Sequence, residues 1–576
     1  MIRSRGTPAR ALAAVFLSLA LGAVTPPVVA DGQPEAGFPA ADARPFAGRD
    51  ALAYALALQP DGAVVVAGQV FTNTGSEIAL ARYRPDGRLD TTLVDGGALR
   101  SDFGGVDNYV YAVAVQPDGK ILVAGYTGVQ GRNGAHGRWD LAVRRFLPDG
   151  LPDKSFGDHG TVRVSDRRGN RYARALALQP DGRIVVAGYG YAGSDQDFLV
   201  ARFLPDGRPD PGFGDGGAVL VDLGPTDDLA YAVTVQPDGR IVVAGRASQG
   251  AAHQWAVVRL RPDGGLDDGF GDGGIARGRL QGLDSVARDV LVQPDGGILV
   301  AGFAGREPDL DVALLRLLPD GRPDSAFGTG GGLRLAIGSG NDVAYALGLD
   351  PLGRILLAGY SYNGAHQDLL VLRRLADGSP DPAFGTDGTV RVDASGDDDF
   401  GRALALTPGG RLLVAGYSGQ ASHRFQLLRL DNGPALDLTP DALAFAPVAE
   451  ARGGEFQTSG AALVSGLGDG VTVPLRVVDG QVSRNGGPFL SAGWARNGDS
   501  LRLRHRAIDR RGAVTTSTLQ AGGLRAADNA ALLLGEPVTA RFASTTTEVS
   551  RSGGGGGALG LAVPGLLAFG RWRRRR

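Results

Sequence analysis

Hydrophobic and polar residues alternate along this chain in a pattern that recurs seven times. In its clearest form, residues 231–245, an alternating stretch meets Pro237-Asp238-Gly239, and an apolar run ending in Ala244-Gly245 follows. Proline presets the first turn position, aspartate bonds its own backbone and glycine accepts a positive φ, so the pattern predicts two strands joined by a tight turn. From Pro60 to Pro408 the turn positions step by 57, 63, 57, 57, 57 and 57 residues. This regular spacing indicates a repeat array.

Each repeat contains two further candidate strands. A third strand, such as residues 197–204, ends at a second turn, Pro205-Asp206-Gly207. A fourth strand follows a motif whose aromatic residue recurs every 57 residues, and Leu93 takes this place in the first repeat: Phe156, Phe213, Phe270, Phe327 and Phe384. Four short strands per repeat fit either a β-propeller or a stacked solenoid. Seven repeats of this length favour a closed seven-bladed β-propeller, which also removes exposed sheet edges.

The seventh repeat departs from the pattern at its end. Asp431-Asn432-Gly433 replaces the second Pro-Asp-Gly turn, and no Phe-Gly pair follows. The last sheet therefore lacks a fourth strand of its own. We expect residues 38–47 to supply that strand and so to close the ring with the N-terminal end of the array.

The composition changes after the repeats. Short alternating strands continue from residue 436, with Asn485-Gly486 and Asn497-Gly498 as hairpin turns, which predicts a small immunoglobulin-like β-sandwich. The role we favour for this segment is that of a plain spacer that holds the propeller off the membrane. The chain thus divides into a leader (1–30), a seven-repeat propeller (31–435), a β-sandwich module (436–550) and a C-terminal tail (551–576).

Both ends carry patterns typical of export. Three arginines precede an apolar stretch in residues 11–24, and small residues up to Ala30 offer a cleavage site, as in a signal peptide. At the other end Ser552, Gly553 and Gly554 begin a glycine run, followed by a short apolar segment and an arginine cluster. The apolar segment is shorter than the roughly 20 residues of an ordinary spanning helix. The alternatives are a disordered N-terminus or a membrane anchor at the first end, and an unprocessed tail anchor at the second.

Composition excludes several kinds of site. The chain has no cysteine, so disulfides and thiolate sites cannot form. The formal net charge of −2 includes three leader arginines and the five arginines of the C-terminal cluster, so a chain without them is far more acidic. Such a chain has no general attraction for phosphate backbones, and we expect no nucleic-acid partner.

Two polar columns appear when the repeats are aligned. Five residues before the glutamine of the first turn stands an aromatic or basic residue: Tyr54, Tyr111, Arg174, Tyr231, Arg288, Tyr345 and Arg402. Four residues earlier stands a carboxylate or amide: Asp50, Asp107, Asn170, Asp227, Asp284, Asn341 and Asp398. Both columns are expected around one mouth of the channel, where phenol and guanidinium groups would stack on sugars or hold anions. The competing interpretation is that these residues brace neighbouring blades.

A third column places one arginine on each third strand: Arg82, Arg145, Arg202, Arg259, Arg316, Arg373 and Arg429. Acidic residues at the start of the same strands, such as Glu77 and Asp140, are the expected partners in an ion-pair belt.

The histidines His136, His253, His366 and His423 share no metal-ligand spacing. No nucleophile elbow or phosphate loop is present in the sequence. We therefore assign no catalytic residues, no cofactor and no metal site from the sequence.

The recurring Gln-Pro-Asp-Gly-Arg-Ile-Val-Val-Ala-Gly, Arg-Phe-Leu-Pro-Asp-Gly and Asp-x-x-Phe-Gly motifs resemble the delta-60 repeat of bacterial secreted proteins, over about residues 48–433. That resemblance implies a propeller-like array and no particular activity. The tail resembles the GlyGly-CTERM sorting signal of Gram-negative bacteria. It implies signal peptidase and a rhomboid-like protease as processing partners, transient membrane contact, and a secreted or cell-surface location.

Three functions remain open from the sequence. The first is a non-enzymatic scaffold that binds an extracellular glycan or protein. The second is an extracellular enzyme acting on polysaccharide at the channel mouth, with a carboxylate pair from distant blades. The third is a purely structural envelope protein.

Overall fold

A computed structural model describes residues 31–548, except 40–43, 131–135, 167–168, 192, 408, 434–441, 453, 470, 491, 509–513 and 522–537. The described chain is built from β-strands with two short 3-10 turns, Val94–Gly97 and Leu280–Gly282. No helix among these residues is long and apolar enough to cross a membrane. The predicted all-β fold with a repeated four-stranded sheet is confirmed.

The repeats form seven antiparallel sheets, each with its strands in chain order. The first three sheets are β1 Ala51–Leu58, β2 Val64–Thr72, β3 Gly75–Tyr83 and β4 Ala98–Ser101; β5 Asn108–Val115, β6 Ile121–Gln130, β7 His136–Phe146 and β8 Thr161–Val164; and β9 Arg171–Leu178, β10 Ile184–Tyr191, β11 Gln196–Phe203 and β12 Ala218–Val221. The next two are β13 Leu229–Val235, β14 Ile241–Gln249, β15 Ala252–Leu260 and β16 Ile275–Gly278; and β17 Ser285–Val292, β18 Ile298–Arg306, β19 Asp309–Leu317 and β20 Gly332–Leu335. The last two are β21 Asp342–Leu349, β22 Ile355–Tyr362, β23 Gln367–Arg374 and β24 Thr389–Val392; and the three-stranded β25 Asp399–Leu406, β26 Leu412–Ser418 and β27 Arg424–Leu430.

The first strands of the sheets contact one another in cyclic order. β1 contacts β5, each later first strand contacts the next, and β25 returns to β1. The hydrophobic core lies between neighbouring sheets, so that one cluster joins the first and second sheets through Val65 and Val123, and another joins the seventh and first through Leu413 and Val66. Alternate residues of every inner strand therefore face opposite seams, as its period of two requires.

One arginine from each third strand ties its sheet to the next. Arg145 pairs through Nε with Asp153 at 2.9 Å, stacks 4.5 Å from the centre of the Phe156 ring, and donates Nη1 to the carbonyl of Pro205 in the following sheet. The same pairing recurs for Arg82–Asp90, Arg202–Asp210, Arg259–Asp267, Arg316–Asp324 and Arg373–Asp381. Each arginine thus bridges two sheets with a charge-assisted contact.

The prediction that these arginines pair with the acidic residues at the start of their own strands was wrong. The acidic residues at the start of the third strands pair elsewhere, as Glu77 does with Arg100 and Asp368 with Arg391. Because strand residues an odd number of positions apart point to opposite faces, Arg82 and Glu77, five residues apart, cannot meet.

The N-terminal segment completes the seventh sheet, but not as the strand expected from residues 38–47. Residues 32–35 pair with the end of β27, with Gly32 N–H donating to Asp431 O at 2.6 Å and Glu35 N–H to Arg429 O at 2.7 Å. Glu35 binds Arg429 at 2.6 Å, and the centre of the Phe38 ring lies 3.9 Å from the guanidinium carbon of Arg429. These are the places that Asp153 and Phe156 take around Arg145. The segment therefore supplies the turn motif, while described residues 38–39 and 44–47 form no strand.

Beyond the repeats the described chain forms two further sheets. One has the strand order β28-β36-β35-β31-β33, and in the other β34 pairs with β29, β30 and β32. Their bounds are β28 Val448–Arg452, β29 Phe456–Thr458, β30 Ala462–Leu463, β31 Thr472–Val478, β32 Gln481–Arg484, β33 Ala492–Arg496, β34 Ser500–Arg506, β35 Val514–Ala521 and β36 Val538–Glu548. Thr472 N–H donates to Pro351 O at 3.1 Å, and Arg476 donates to Pro180 O. These carbonyls belong to first turns of the sixth and third sheets, so the C-terminal sheets span the turn face of the ring.

We expect Phe38→Ala to destabilise the fold as a core truncation, because its side chain is only 7 % exposed and packs in the last seam. Loss of a buried phenylalanine costs about 3–5 kcal/mol. Chemical denaturation of the purified protein measures the change. Phe456→Ala, at a ring that is 59 % exposed, is the matched control, and equal effects of the two substitutions would contradict closure by this segment.

Candidate binding channel

The seven aromatic and basic residues of the first polar column all line one central cavity of about 160 Å³. Each is half-buried and belongs to the first strand of its sheet. The residues that follow them in the chain, an alanine in six sheets and Asp289 in the fifth, line the same cavity. We call the seven residues the channel ring: Tyr54, Tyr111, Arg174, Tyr231, Arg288, Tyr345 and Arg402.

A β-bulge turns every ring residue toward the axis. In the fourth sheet, Ala230 pairs with Gly245 and Ala232 with Ala244, so Tyr231 is the extra residue without a partner opposite it. The same shift occurs at the other six ring positions. A bulge bends a strand and re-aims one side chain.

The glycine of each Ala-Gly motif makes this bulge possible. A Cβ atom built on Gly245 would lie 2.0 Å from the carbonyl oxygen of Leu229, and one on Gly125 would lie 1.7 Å from that of Tyr109. The corresponding distances at the other five glycines are 1.7–2.0 Å. No side chain fits at such a distance, so glycine is required at this position opposite every ring residue.

Arginines and tyrosines of the ring stack in pairs. The guanidinium carbons of Arg174, Arg288 and Arg402 lie 4.1, 4.3 and 3.8 Å from the ring centres of the tyrosine one sheet earlier: Tyr111, Tyr231 and Tyr345. Tyr54 and Tyr111 contact each other at 5.0 Å between ring centres. A cation held against an aromatic face in a desolvated site gains about 2 kcal/mol.

A second set of side chains was missed in the sequence, and five of its seven members contact the ring. It consists of the residues directly after Ala-Gly: Gln69, Tyr126, Tyr189, Arg246, Phe303, Tyr360 and Tyr417. Arg174 donates Nη2 to the Tyr189 hydroxyl at 2.7 Å, and Arg402 donates to the Tyr417 hydroxyl at 2.6 Å. Their constant place after Ala-Gly is the signal that could have revealed them.

Tyr54, Tyr126 and Tyr360 are neutral near physiological pH. Burial raises the pKa of Tyr54, Tyr126 and Tyr360 well above the usual range of a phenol. They therefore offer hydroxyl groups and ring faces but no negative charge to the arginines.

The ring guanidinium groups have no carboxylate partner within ion-pair distance among the described residues. Their Nε atoms, in Arg174, Arg288 and Arg402, are buried without a hydrogen-bond partner there. A buried donor without an acceptor costs about 1–3 kcal/mol. The channel thus concentrates positive charge whose hydrogen-bonding capacity is not exhausted.

Asp289 breaks the symmetry of the channel. Its carboxylate accepts Val290 N–H at 2.8 Å and Leu347 N–H at 2.7 Å. Burial raises the pKa of Asp289 to about 7, and the two backbone donors only partly oppose this. The group therefore changes its charge near neutral pH, in a place where the other sheets carry alanine.

The Asp/Asn column lies over the seams between sheets and not in the channel. Asp107 accepts Ser76 N–H at 3.0 Å, and Asp50 accepts His423 N–H at 2.8 Å across the closing seam. Four further members accept a backbone N–H of the preceding sheet in the same way: Asn170, Asp227, Asn341 and Asp398. Asp284 likewise accepts the backbone N–H of His253. The structure thus separates the two columns that the sequence placed at one mouth.

The expected processing residues Ala30, Ser552, Gly553 and Gly554 lie outside the described residues. Of the histidines, His423 contacts Asp50 through Nδ1 at 2.9 Å, and His366 lies 3.4 Å from Asp368. They belong to different sheets, and neither lines the channel.

Six segments match a family model described as "Domain of unknown function (DUF5122) beta-propeller": residues 59–93, 116–156, 179–213, 236–270, 293–327 and 353–384. The chain is a β-propeller repeat protein. No curated protein matches its sequence.

Several solved structures are similar to this propeller. Sqt1 from Chaetomium thermophilum is 13% identical with a TM-score of 0.38, covering 67% of this chain and 98% of its own. The polysaccharide lyase Uly1 is 12% identical with a TM-score of 0.37, covering 66% and 89%. Drosophila Plexin A in complex with Semaphorin 1b is 14% identical with a TM-score of 0.36, covering 66% and 85%. At these values the similarities carry no information about a ligand or an activity.

We expect Gly245→Ala to lower the melting temperature sharply or to prevent folding, because the new Cβ would overlap the Leu229 carbonyl. Overlaps that force backbone shifts cost about 1–3 kcal/mol or more. Gly493→Ala is the control, since nothing lies within 4 Å of its Cβ position. Calorimetric melting of both variants checks this, and a Gly245→Ala protein that melts with the wild type would refute the steric explanation.

Asp289→Ala should change how stability depends on pH. A carboxyl whose pKa is raised to about 7 on folding destabilises the native state increasingly as pH rises from 4 to 7. Relative to wild type, the variant should therefore gain stability over this interval, by up to a few kcal/mol at about 1.4 kcal/mol per pKa unit. Denaturation curves at pH 4, 6 and 8 measure the difference. A constant difference would contradict the raised pKa.

Proposed function

We propose that this protein is an exported, non-enzymatic β-propeller scaffold that binds a small anionic group in its central channel. In this proposal the seven sheets are the blades of a closed propeller, and the C-terminal sheets are an immunoglobulin-like module. The carrying observation is the set of ring arginines without carboxylate partners and with buried, unused Nε donors.

The size of the cavity limits the ligand. A volume of about 160 Å³ is below the 300–1,000 Å³ typical of drug-sized ligands. It suits an inorganic anion or the carboxylate or sulfate group of an acidic sugar, held by guanidinium donors and stacked between tyrosine faces. A polysaccharide chain threaded through the ring does not suit this space.

Access to the channel is proposed from the face at which the first strands begin. The C-terminal sheets contact Pro180 and Pro351 on the opposite, turn-bearing face. A ligand on a larger molecule would then present its acidic end to the free face.

Asp289 is the one carboxylate among the described residues that line the cavity. A glycosidase mechanism uses two carboxyl groups on either side of the scissile bond. The binding proposal is therefore favoured over the polysaccharide-cleaving alternative.

Export is part of the proposal and is supported by the terminal sequence patterns. Residues 1–30 would be removed by signal peptidase, with Ala30 at the cleavage site. The tail would be processed near Ser552, Gly553 and Gly554 by a rhomboid-like protease after transient membrane contact. The protein would then be secreted or displayed on the outer surface of a Gram-negative bacterium.

Titration calorimetry with sulfate and with glucuronate tests the binding proposal. Wild type should bind at least one of these anions, and Arg174→Gln and Arg402→Gln should each weaken binding about tenfold or more, equivalent to about 1.4 kcal/mol. Arg208→Gln, whose side chain is 74% exposed, is the matched control and should bind as wild type. Absence of binding at millimolar anion, or equal binding by all three variants, would overturn the proposal and favour a purely structural role.

A further inference from the structure

Three aspartates meet where the third sheet adjoins the start of the fourth. Asp197 lies at the start of β11, Asp222 directly follows β12, and Asp228 directly precedes β13. One carboxylate oxygen of each lies within 4.8 Å of the other two. Asp228 is fully buried, Asp197 is only 4% exposed, and Asp222 is exposed.

Other sheets neutralise the acidic residue of the third strand with an arginine on the fourth. Arg100 lies 3.3 Å from Glu77 in the first sheet, and Arg391 lies 3.1 Å from Asp368 in the sixth. Arg334 binds Asp311 in the fifth. The corresponding position in the third sheet is Leu220, which pairs with Leu199 as Arg391 pairs with Leu370. The third sheet thus keeps the carboxylate and lacks the cation.

Asp197 is left without compensation by this replacement. Its Oδ1 atom is buried and has no hydrogen-bond partner among the described residues. The charges that act most strongly on it are all negative, from Asp222, Asp195, Asp228 and Asp227. A buried carboxylate oxygen without a donor is costly unless a cation or a proton satisfies it.

Backbone donors hold the other two carboxylates in place. Asp228 accepts Leu223 N–H and Ser248 N–H, both at 2.9 Å, and Asp222 Oδ1 accepts Gly224 N–H at 2.8 Å. Arg277, the basic residue whose charge reaches Asp228, donates to the Leu223 carbonyl. Carboxylate oxygens therefore converge at a fixed site without a guanidinium group between them.

We propose that Asp197, Asp222 and Asp228 bind a hard divalent cation, Ca²⁺, between the third and fourth sheets of the propeller. Calcium takes six to eight oxygen ligands in flexible geometry, and three carboxylates with water complete such a shell. The cluster contains no histidine or thiolate, so soft or borderline metals lack their preferred ligands. The cation takes the place that a fourth-strand arginine fills in the first, fifth and sixth sheets.

The test is Ca²⁺ titration of the full chain after removal of metal with EGTA, by calorimetry and by thermal melting. Wild type should bind Ca²⁺, and its melting temperature should rise with Ca²⁺ concentration, because a ligand of the native state stabilises it. Asp222→Asn, at an exposed position, should weaken binding about tenfold or more without loss of the fold. Asp102→Asn, at the equivalent place in the first sheet where Arg100 is present, is the matched control and should leave both readouts unchanged.

Leu220→Arg supplies a second, independent variant. The introduced guanidinium should replace the cation, so this protein should show no Ca²⁺ binding and should melt above wild type in EGTA. Failure of wild type to bind Ca²⁺ at millimolar concentration, or undiminished binding by Leu220→Arg, would overturn the proposal. Anion binding in the channel, measured in the same samples, should not change, which separates this site from the channel ring.

Discussion

The channel ring depends on a close contact between a backbone carbonyl oxygen and a glycine, which leaves no room for a Cβ atom. Seven inner strands converge on one axis, and each admits an extra residue because the strand beside it carries glycine where a carbonyl oxygen approaches to within 1.7–2.0 Å of the Cβ position. Without the bulge, the aromatic and basic residues would follow the ordinary alternation of the strand and would point into a seam. Backbone geometry at the bulge therefore determines which side chains line the channel.

Much of the fold was accessible from the sequence because local signals and long-range periodicity agree. The Pro-Asp-Gly turns, the apolar runs and the 57-residue spacing each predict the same four-stranded unit. The ring arginines and tyrosines were also recognised, since alignment of the repeats places them in one column. The sequence did not show which of the two polar columns faces the axis. A bulge changes the direction of a side chain but does not change the spacing of residues in the repeat.

Two predictions were wrong, and both concern the turn motif that follows a third strand. Arg82 was assigned to Glu77 by proximity in sequence, whereas its partner Asp90 lies beyond a turn. Closure was assigned to residues 38–47 because a strand was missing, whereas the missing part was a turn motif. Residues 31–38, Asp-Gly-Gln-Pro-Glu-Ala-Gly-Phe, match Asp206-Gly207-Arg208-Pro209-Asp210-Pro211-Gly212-Phe213 position by position. The glutamate in place of aspartate hid this copy, although both carboxylates bind the arginine of their sheet.

The shared seventh sheet has a consequence for the way the molecule comes apart. In a linear repeat array each end exposes a terminal unit, and unfolding can begin there and spread from neighbour to neighbour. Here Glu35 and Arg429, nearly four hundred positions apart in the sequence, hold the two ends of the array together. No unit is terminal, so loss of any one sheet opens two seams at once. Every sheet therefore contributes to the stability of its two neighbours, and we expect the seven sheets to unfold cooperatively.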